Sequence, residues 1–346
     1  MTLTNRRLPI FSLALGLVFF SISAPFTRAA EPGRVERMKT WLRSKVSSQE
    51  QLRRYSLELP SNDKLSKADG RLVVLAHGFN AKPEDLAGLR AAIQHEDYAC
   101  GSFRYPNDHS LRGSAELLAR ELRAVSKQHP EVQIAIVAHS MGGLVARECV
   151  EDTELDPGNV DRLIMIGTPN QGTLLAHYAI GTDLCEHFLA REGGNPLRRF
   201  RAAFADGLGE ATHDMTPDSE FLSRLNARGR NANVQYTLFL GTGGKLYDKE
   251  LQLASRSVRK ARHIPGLANF ANHFATRIAN MEELVAGKGD GAVAVRRGVL
   301  ADVSDTVILN FEHQSVVGSS ANERTREVYE EVLARLALSS SSRQAE

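Results

Sequence analysis

Apolar runs alternate with segments of helical periodicity from residue 71 onward, and this alternation limits the possible folds more than any other feature of the sequence. The runs are rich in β-branched residues and do not alternate with polar ones, which is typical of strands buried on both faces. Strands are predicted at 71–76, 98–105, 133–137, 160–167, 234–240 and 306–310, and helices at 84–95, 112–128, 144–150 and 320–338. The sequence therefore predicts an α/β fold with a mostly parallel central sheet and helices on both faces.

Two stretches interrupt the alternation, at about 174–233 and 244–286. Insertions of this kind between strands are typical of caps, and the first is expected to be helical. We therefore expect one domain over 71–338 that carries both insertions, a length of chain sufficient to bury a single core. An N-terminal helix and linker are predicted over 31–70. The serine-rich tail, 339–346, is predicted to be disordered.

The first thirty residues have the layout of a secretory signal peptide. Two arginines, Arg6 and Arg7, precede an apolar run from Ile10 to Ile22, and small residues follow at 29–30. The run is short for a membrane span, although an uncleaved anchor remains the alternative. We expect export to the periplasm or out of the cell.

Removal of residues 1–30 takes away three of the 43 lysines and arginines and none of the 41 acidic residues. The mature chain is therefore close to neutral, and no nucleic-acid partner is expected.

Three cysteines are too few for a disulfide framework and too scattered for a metal site. Cys149 falls within a predicted helix and is most simply a core residue. Cys100 and Cys185 either pair in an oxidising compartment or remain free, because sequence does not fix the pairing. The histidines of the insertions lack metal-ligand spacing, so neither a metal nor a cofactor is expected.

A serine stands at the turn between the predicted strand 133–137 and the helix that follows it. Ser140 is flanked at two positions on either side by the small residues Ala138 and Gly142. A sharp strand-to-helix turn needs small residues at these positions because the strand and the helix approach each other closely. The stretch predicts a nucleophile elbow with Ser140 as the nucleophile.

A serine hydroxyl needs a base to remove its proton and a third group to orient that base. On an α/β-hydrolase sheet these partners follow the serine in the order acid, then histidine. His313 follows the last predicted strand, and Asp290 lies in the loop region beyond the strand 234–240. We assign them as general base and orienting carboxylate, respectively. An ordinary Asp-Gly turn is the alternative for Asp290, and Asp302 and Asp305 are its nearest rivals, before the last strand.

The anion that forms on an attacked carbonyl needs backbone donors that already point at it. The N–H of Met141, at the start of the helix after Ser140, is one predicted donor. The loop after the first predicted strand, His77-Gly78-Phe79, supplies the second. Phe79 gives its N–H, and Gly78 lets the main chain approach the substrate.

Five motifs taken together resemble the bacterial triacylglycerol lipase branch of the α/β-hydrolase superfamily, and also the related esterases that include PGAP-like lipid deacylases. In order they are His77-Gly78-Phe79-Asn80, Ala138-His139-Ser140-Met141-Gly142-Gly143-Leu144, Gly167-Thr168-Pro169-Asn170-Gln171-Gly172, Asp290-Gly291-Ala292-Val293 and His313. The resemblance covers roughly 71–335. It implies an α/β-hydrolase fold and ester hydrolysis through an acyl-enzyme, with His77 and His139 in positions that support the motifs. Ala138 in place of the usual glycine, and the distance of Asp290 from its strand, depart from the family pattern.

The first insertion is rich in large apolar residues, which favours an apolar acyl group and brief contact with a lipid surface. It does not separate a lipase from a short-chain esterase. Two other functions remain open: acyl transfer or amide or thioester cleavage on the same scaffold, and non-catalytic lipid binding in the cell envelope. The oligomeric state is not predicted.

Overall fold

The apolar runs of the sequence form a seven-stranded sheet in the computed structural model, which describes residues 55–61, 65, 71–106, 109–177, 208–263, 272, 275–276, 279–318 and 323–338. The strands are β1 (Leu57–Glu58), β2 (Arg71–Ala76), β3 (Ala99–Phe103), β4 (Gln133–His139), β5 (Val160–Ile166), β6 (Gln235–Gly241) and β7 (Thr306–Leu309). The predictions of a signal peptide at 1–30, of a helix early in 31–70 and of a disordered tail at 339–346 concern residues outside these ranges.

The strand order is β1-β3-β2-β4-β5-β6-β7, and every neighbouring pair is parallel except β1 with β3. In the centre of the sheet Val74 of β2 pairs with Ile136 of β4, which pairs in turn with Leu163 of β5. Because parallel strands end at the same edge, the turns after β2, β4, β5, β6 and β7 meet there. The prediction of a mostly parallel sheet is confirmed.

Eight α-helices accompany the strands in the described part of the chain: α1 (Ala87–His95), α2 (Leu111–Gln128), α3 (Met141–Glu151), α4 (Leu208–Asp214), α5 (Glu220–Ala227), α6 (Asp248–Arg259), α7 (Val295–Gly298) and α8 (Glu323–Ala337). Short 3₁₀ turns occur at Pro83–Leu86, Leu174–His177, Lys260–His263, Glu282–Leu284 and His313–Val316. Ser110 caps α2 by accepting a hydrogen bond from the N–H of Gly113 at 3.2 Å, which satisfies a donor of the first turn.

The core lies on both faces of the sheet. Alternate strand residues such as Val73, Val137 and Phe239 pack against apolar side chains of α1 and α8 on one face. Their neighbours along each strand point to the opposite face, where α3 packs on β2, β4 and β5 and is covered by α2. Every residue of α3 is buried. The expectation of helices on both faces is confirmed, and α3 is held rigidly behind the Ser140 turn.

Three details of the secondary structure were not predicted. β1 lies within 31–70, where only a helix and a linker were expected, and its pairing with β3 adds an antiparallel edge. Residues 295–298 form the short helix α7, and His313 itself begins a 3₁₀ turn. Cys149 is buried in α3, as the sequence predicted. Cys100 is buried and free, and Cys185 lies outside the described residues.

The first insertion is described at both ends: Leu174–His177 form a 3₁₀ turn, and α4 and α5 form from Leu208 onward. Phe221, Leu222 and Leu225 of α5 are buried, and α5 packs against α3. The helical character predicted for 174–233 therefore holds for its described ends. Whether this insertion covers Ser140 stays a prediction.

Residues 247–280 belong to a second, smaller unit of the chain. Its described part consists of α6, the 3₁₀ turn Lys260–His263 and a few residues near 272–280. Ser255 of α6 donates a hydrogen bond to the carbonyl oxygen of Ala275 at 2.7 Å. Among the residues that the structure describes, no helix is both long and apolar enough to cross a membrane.

Candidate active site

Ser140 occupies a strained turn between β4 and α3. Its φ of 54° and ψ of −126° lie in a region that residues with side chains rarely adopt. Its backbone N–H donates to the carbonyl oxygen of Ile166 at 2.9 Å, which ties the turn to the end of β5. Strain of this kind persists because the surrounding core fixes the turn. The turn has the geometry of a nucleophile elbow.

The small residues around Ser140 are required by close backbone contacts. A Cβ atom on Gly142 would lie 2.5 Å from the carbonyl oxygen of His77 and 2.7 Å from that of Ala76. A Cβ atom on Gly78 would lie 3.0 Å from Cβ of Ser140. Ala138, where the family pattern has glycine, is fully buried in β4 and pairs with Ala76. The methyl group of Ala138 is therefore accommodated, while Gly142 admits no side chain.

A continuous chain of hydrogen bonds joins Ser140, His313 and Asp290. Oγ of Ser140 lies 2.9 Å from Nε2 of His313, and Nδ1 of His313 lies 2.8 Å from Oδ2 of Asp290. All three residues are buried or nearly so. Because Nδ1 faces a carboxylate, it carries the ring proton, and Nε2 is left as an acceptor for the serine hydroxyl.

Asp290 is fixed in place by backbone donors on its own loop. Its Oδ1 accepts hydrogen bonds from the N–H groups of Ala292, at 2.9 Å, and Val293, at 2.7 Å, so only Oδ2 is left to face the imidazole. The carbonyl oxygen of Asp290 also accepts a hydrogen bond from the N–H of His313 at 2.8 Å. These bonds set the relative position of the two residues through backbone as well as side-chain atoms.

The long connection from β6 to Asp290 is closed at its base by two β-bridges. Gly243 forms a bridge with Ala286, and Leu246 forms a bridge with Val285. The chain therefore returns to the end of β6 before it reaches Asp290, and a Cβ atom on Gly241 would lie 2.6 Å from Cβ of Asp290. The carboxylate is adjacent to the strand in space although it is distant from it in sequence.

The two predicted oxyanion donors lie on either side of the serine turn. Met141 is the first residue of α3, so its N–H has no acceptor within the helix. Phe79 is half-buried and follows Gly78, which contacts Ser140. Neither N–H donates a hydrogen bond to a described residue. Both are available to an oxygen bound beside Ser140, and their role in catalysis stays a prediction.

His77 makes its hydrogen bond within its own loop and is not part of the hydrogen-bonded chain of Ser140, His313 and Asp290. Its Nδ1 is 2.9 Å from the carbonyl oxygen of Gly78, and its ring stacks on Tyr105 with centroids 4.2 Å apart. Desolvation by burial lowers the pKa of His77 below its ordinary value, so the ring is neutral at physiological pH.

His139 packs against His313. Its Nε2 lies 3.1 Å from the carbonyl oxygen of His313, to which it donates, and the two rings are 4.6 Å apart. Burial, with a smaller contribution from the nearby His313, lowers the pKa of His139 to about 3. It is a neutral donor that helps to hold the His313 backbone.

The rival carboxylates lie elsewhere. Asp305 binds Arg335 and Thr237 at the amino end of β7, which is opposite to the edge that carries Ser140. Asp302 is exposed. Asn170, in the turn after β5, is buried and binds Arg147 and the carbonyl oxygen of Gly298, so it has a structural role.

Sequence reasoning did not assign a role to Gly167, Thr168 or Tyr105. Gly167 has a φ of 59°, and a Cβ atom there would lie 2.9 Å from Oδ2 of Asp290 and 3.0 Å from Nδ1 of His313. Thr168 donates to the carbonyl oxygen of Ser140 at 3.1 Å. Two signals could have identified Gly167: it directly follows β5, at the edge that carries the site, and it begins one of the five motifs of the resemblance.

A cavity of about 290 Å³ borders Asp290 and His313. Its walls include the apolar residues Leu246 and Leu284 and an ion pair between Lys245 and Glu312 at 2.7 Å. No group of three or more potential metal ligands occurs among the described residues.

A family model described as a domain of unknown function (DUF7379) matches residues 42–191. No curated protein sequence matches the chain significantly.

Among solved structures, the mature lipase BlEst2 of Bacillus licheniformis is similar over 82% of this chain and 98% of its own, with 16% identity and a TM-score of 0.53. Lipase 1 of Pelosinus fermentans is similar over 78% of this chain and 100% of its own, with 15% identity and a TM-score of 0.50. The propeptide form of BlEst2 is covered over 49% of its length, with a TM-score of 0.50. These similarities show the fold: the chain has the α/β-hydrolase fold, as the sequence predicted.

Proposed function

We propose that this α/β-hydrolase chain is a serine carboxylic-ester hydrolase of the lipase and esterase type. The observation that carries the proposal is the hydrogen-bonded chain from Ser140 through His313 to Asp290, which starts at a strained elbow. A structural serine needs neither a strained turn nor an imidazole oriented by a buried carboxylate. The lipases that share the fold support the same chemistry.

The first half of the proposed reaction is acylation of Ser140. Oγ of Ser140 attacks the carbonyl carbon of the ester while its proton moves to Nε2 of His313. The carbonyl electron pair shifts to oxygen, and the resulting anion accepts hydrogen bonds from the N–H groups of Met141 and Phe79. When this intermediate collapses, the bond to the alcohol oxygen breaks and that oxygen takes the proton from Nε2. The acyl group remains on Ser140.

Deacylation repeats the same steps with water. His313 takes a proton from water as the water oxygen attacks the acyl carbon, and the same two N–H groups bind the second oxyanion. Collapse releases the carboxylic acid, and the proton on Nε2 returns to Oγ of Ser140. Asp290 remains ionised throughout and stabilises the imidazolium that forms in each half of the reaction.

The substrate is proposed to be an acyl ester with an apolar chain. The cavity beside His313 provides space for part of such an ester, and Leu246 and Leu284 contribute apolar surface to it. The apolar residues of the first insertion are consistent with brief contact with a lipid surface. The signal-like sequence of residues 1–30 supports export, so the proposed site of action is the periplasm or the exterior of the cell.

The central test is hydrolysis of p-nitrophenyl esters from acetate to palmitate by purified protein and by Ser140→Ala. We expect hydrolysis that disappears in Ser140→Ala and remains in Ser223→Ala, a control at an exposed serine of α5. A fluorophosphonate probe should label the native protein and Ser223→Ala but not Ser140→Ala. Absence of Ser140-dependent hydrolysis for every chain length would refute the proposal. Added alcohols that divert product from acid to new ester would identify acyl transfer instead.

Export is tested by expressing the full chain in a bacterial host and fractionating the cells. We expect the protein in the periplasm or the medium, with an N-terminus near residue 31 by N-terminal sequencing. Recovery of intact residues 1–30 from the membrane fraction would favour the uncleaved anchor, and recovery from the cytoplasm would exclude export.

A further inference from the structure

We propose that His77 is a positioning residue that aims the oxyanion donor of Phe79 by holding the carbonyl group of Gly78. This inference rests on the proposed ester hydrolysis at Ser140. It assigns to the imidazole a task in the reaction, although the ring does not touch the substrate.

The argument begins with the geometry of one peptide group. The carbonyl oxygen of Gly78 and the N–H of Phe79 belong to the same planar unit, and in a trans peptide they point in opposite directions. Nδ1 of His77 lies 2.9 Å from that carbonyl oxygen. A hydrogen bond that fixes the oxygen on one side therefore fixes the direction of the N–H on the other.

The N–H is fixed next to the place where an oxyanion forms. A Cβ atom on Gly78 would lie 3.0 Å from Cβ of Ser140, so the peptide passes directly beside the nucleophile. Asn80 follows with a φ of 51°, which marks a sharp change of direction after the loop. Without an anchor on the Gly78 carbonyl, this peptide has the rotational freedom that glycine allows.

The imidazole is itself held from two directions. Its ring stacks on Tyr105 with an interplanar angle of 13°, and the Tyr105 hydroxyl donates a hydrogen bond to the backbone carbonyl of His77. The same carbonyl lies against Gly142 of the elbow. The ring, the oxyanion loop and the nucleophile turn therefore form one rigid unit.

The protonation state of His77 suits a donor of this kind. Since Nδ1 faces a carbonyl oxygen, it carries the proton of the neutral ring, and Nε2 is buried with no described partner. A hydrogen bond to a peptide oxygen also polarises the peptide, which strengthens its N–H as a donor. A neutral donor does this without adding a positive charge to the loop.

The test compares two substitutions that separate the ring from the hydrogen bond. His77→Phe keeps the ring that stacks on Tyr105 but removes the donor. His77→Asn loses the ring but keeps an N–H donor the same number of bonds from the backbone as Nδ1. We measure kcat and KM with a p-nitrophenyl ester, the thermal midpoint, and inhibition by an alkyl trifluoromethyl ketone, which forms a tetrahedral oxyanion adduct with an active-site serine.

We expect His77→Phe to lower kcat by about 10- to 100-fold with little change in KM, less than the full loss of an oxyanion donor. Affinity for the ketone should fall by the same factor as kcat/KM. His77→Asn should recover most of the lost kcat, even if its thermal midpoint is the lower of the two.

A purely structural role predicts another pattern, in which activity follows the thermal midpoint and Asn is worse than Phe. That pattern, or an unchanged kcat in His77→Phe, would overturn the inference. If His77→Phe does not fold, His77→Asn decides alone: the inference requires near-native affinity for the ketone. Failure of the proposed function is distinguished because the unmodified protein would then show no Ser140-dependent hydrolysis at all.

Discussion

Replacement of Asp290 by asparagine tests the proposed mechanism at the residue whose sequence assignment had the strongest rivals. Asp290 Oδ1 already accepts hydrogen bonds from the N–H groups of Ala292 and Val293. In Asp290→Asn the amide oxygen must take this position, because an NH₂ group there would face two donors. The NH₂ group is thereby forced toward Nδ1 of His313, which becomes an acceptor. The ring proton moves to Nε2, and His313 can no longer accept the proton of Ser140.

The expected loss is large because the wrong tautomer dominates in the variant. In serine hydrolase triads such a change lowers kcat by about four orders of magnitude, or about 5.4 kcal/mol of transition-state stabilisation. The thermal midpoint should change little, since every hydrogen bond of the carboxylate has a counterpart in the amide. The assay is the initial rate with p-nitrophenyl butyrate, together with the rate of labelling by a fluorophosphonate, and both should fall.

The matched control is Asp302→Asn, at an exposed position with a φ of 63° that asparagine tolerates. It should retain the native kcat. If Asp290→Asn keeps a tenth or more of the native kcat while Ser140→Ala is inactive, Asp290 does not orient the base. A loss in Asp302→Asn of the same size would likewise contradict the assignment.

Three further outcomes follow from the packing and the charges. Gly142→Ala should lower both the thermal midpoint and the activity, because a Cβ atom there would lie 2.5 and 2.7 Å from two backbone carbonyl oxygens. Overpacking of this kind costs about 1–3 kcal/mol of stability. A native thermal midpoint would contradict this prediction. The lowered pKa of His139 means that below about pH 6.5 the unfolded chain binds a proton that the native state does not, so stability should fall toward pH 3 by up to about 1.4 kcal/mol per pH unit. Urea unfolding at several pH values should show that the free energy of unfolding depends less steeply on pH in His139→Phe than in the native protein. An equal dependence would show that His139 does not cause the loss of stability at low pH. Arg147→Met removes one partner of the buried Glu151 carboxylate and should lower the free energy of unfolding in urea by about 3 kcal/mol. Arg120→Met, in an exposed ion pair, should lower it by less than about 1 kcal/mol. Similar losses in the two variants would contradict the prediction.

The strands and the serine turn could be predicted because local sequence determines them. The run before Ser140 is apolar and β-branched, and it forms β4 within two residues of the predicted end. The helix after it contains Gly142 at the position where the backbone of β2 leaves no room for a side chain. In these segments the periodicity, the small residues and the tertiary packing all favour the same structure.

Features that depend on long-range contact were harder to predict. β1 has only two residues and exists because β3 offers it an edge, so no periodicity marks it. Gly167 gives no sign in the sequence that Asp290 and His313 approach it, since both lie more than a hundred residues further along the chain. The role of Tyr105 in holding His77 likewise depends on the neighbouring strand β3 and on nothing local. The distance of Asp290 from β6 looked like a departure from the family pattern because the bridges that close the path are not visible in the sequence.

The two bridges, Gly243 with Ala286 and Leu246 with Val285, also join the two ends of the segment 247–280 to each other. The chain leaves β6 and returns to it at these bridges. The distance between β6 and Asp290 therefore does not depend on the length of the segment 247–280. Insertions, deletions or a foreign sequence between those ends have no backbone path by which to displace the carboxylate. The segment 247–280 can therefore vary in length while Asp290 keeps its position relative to β6.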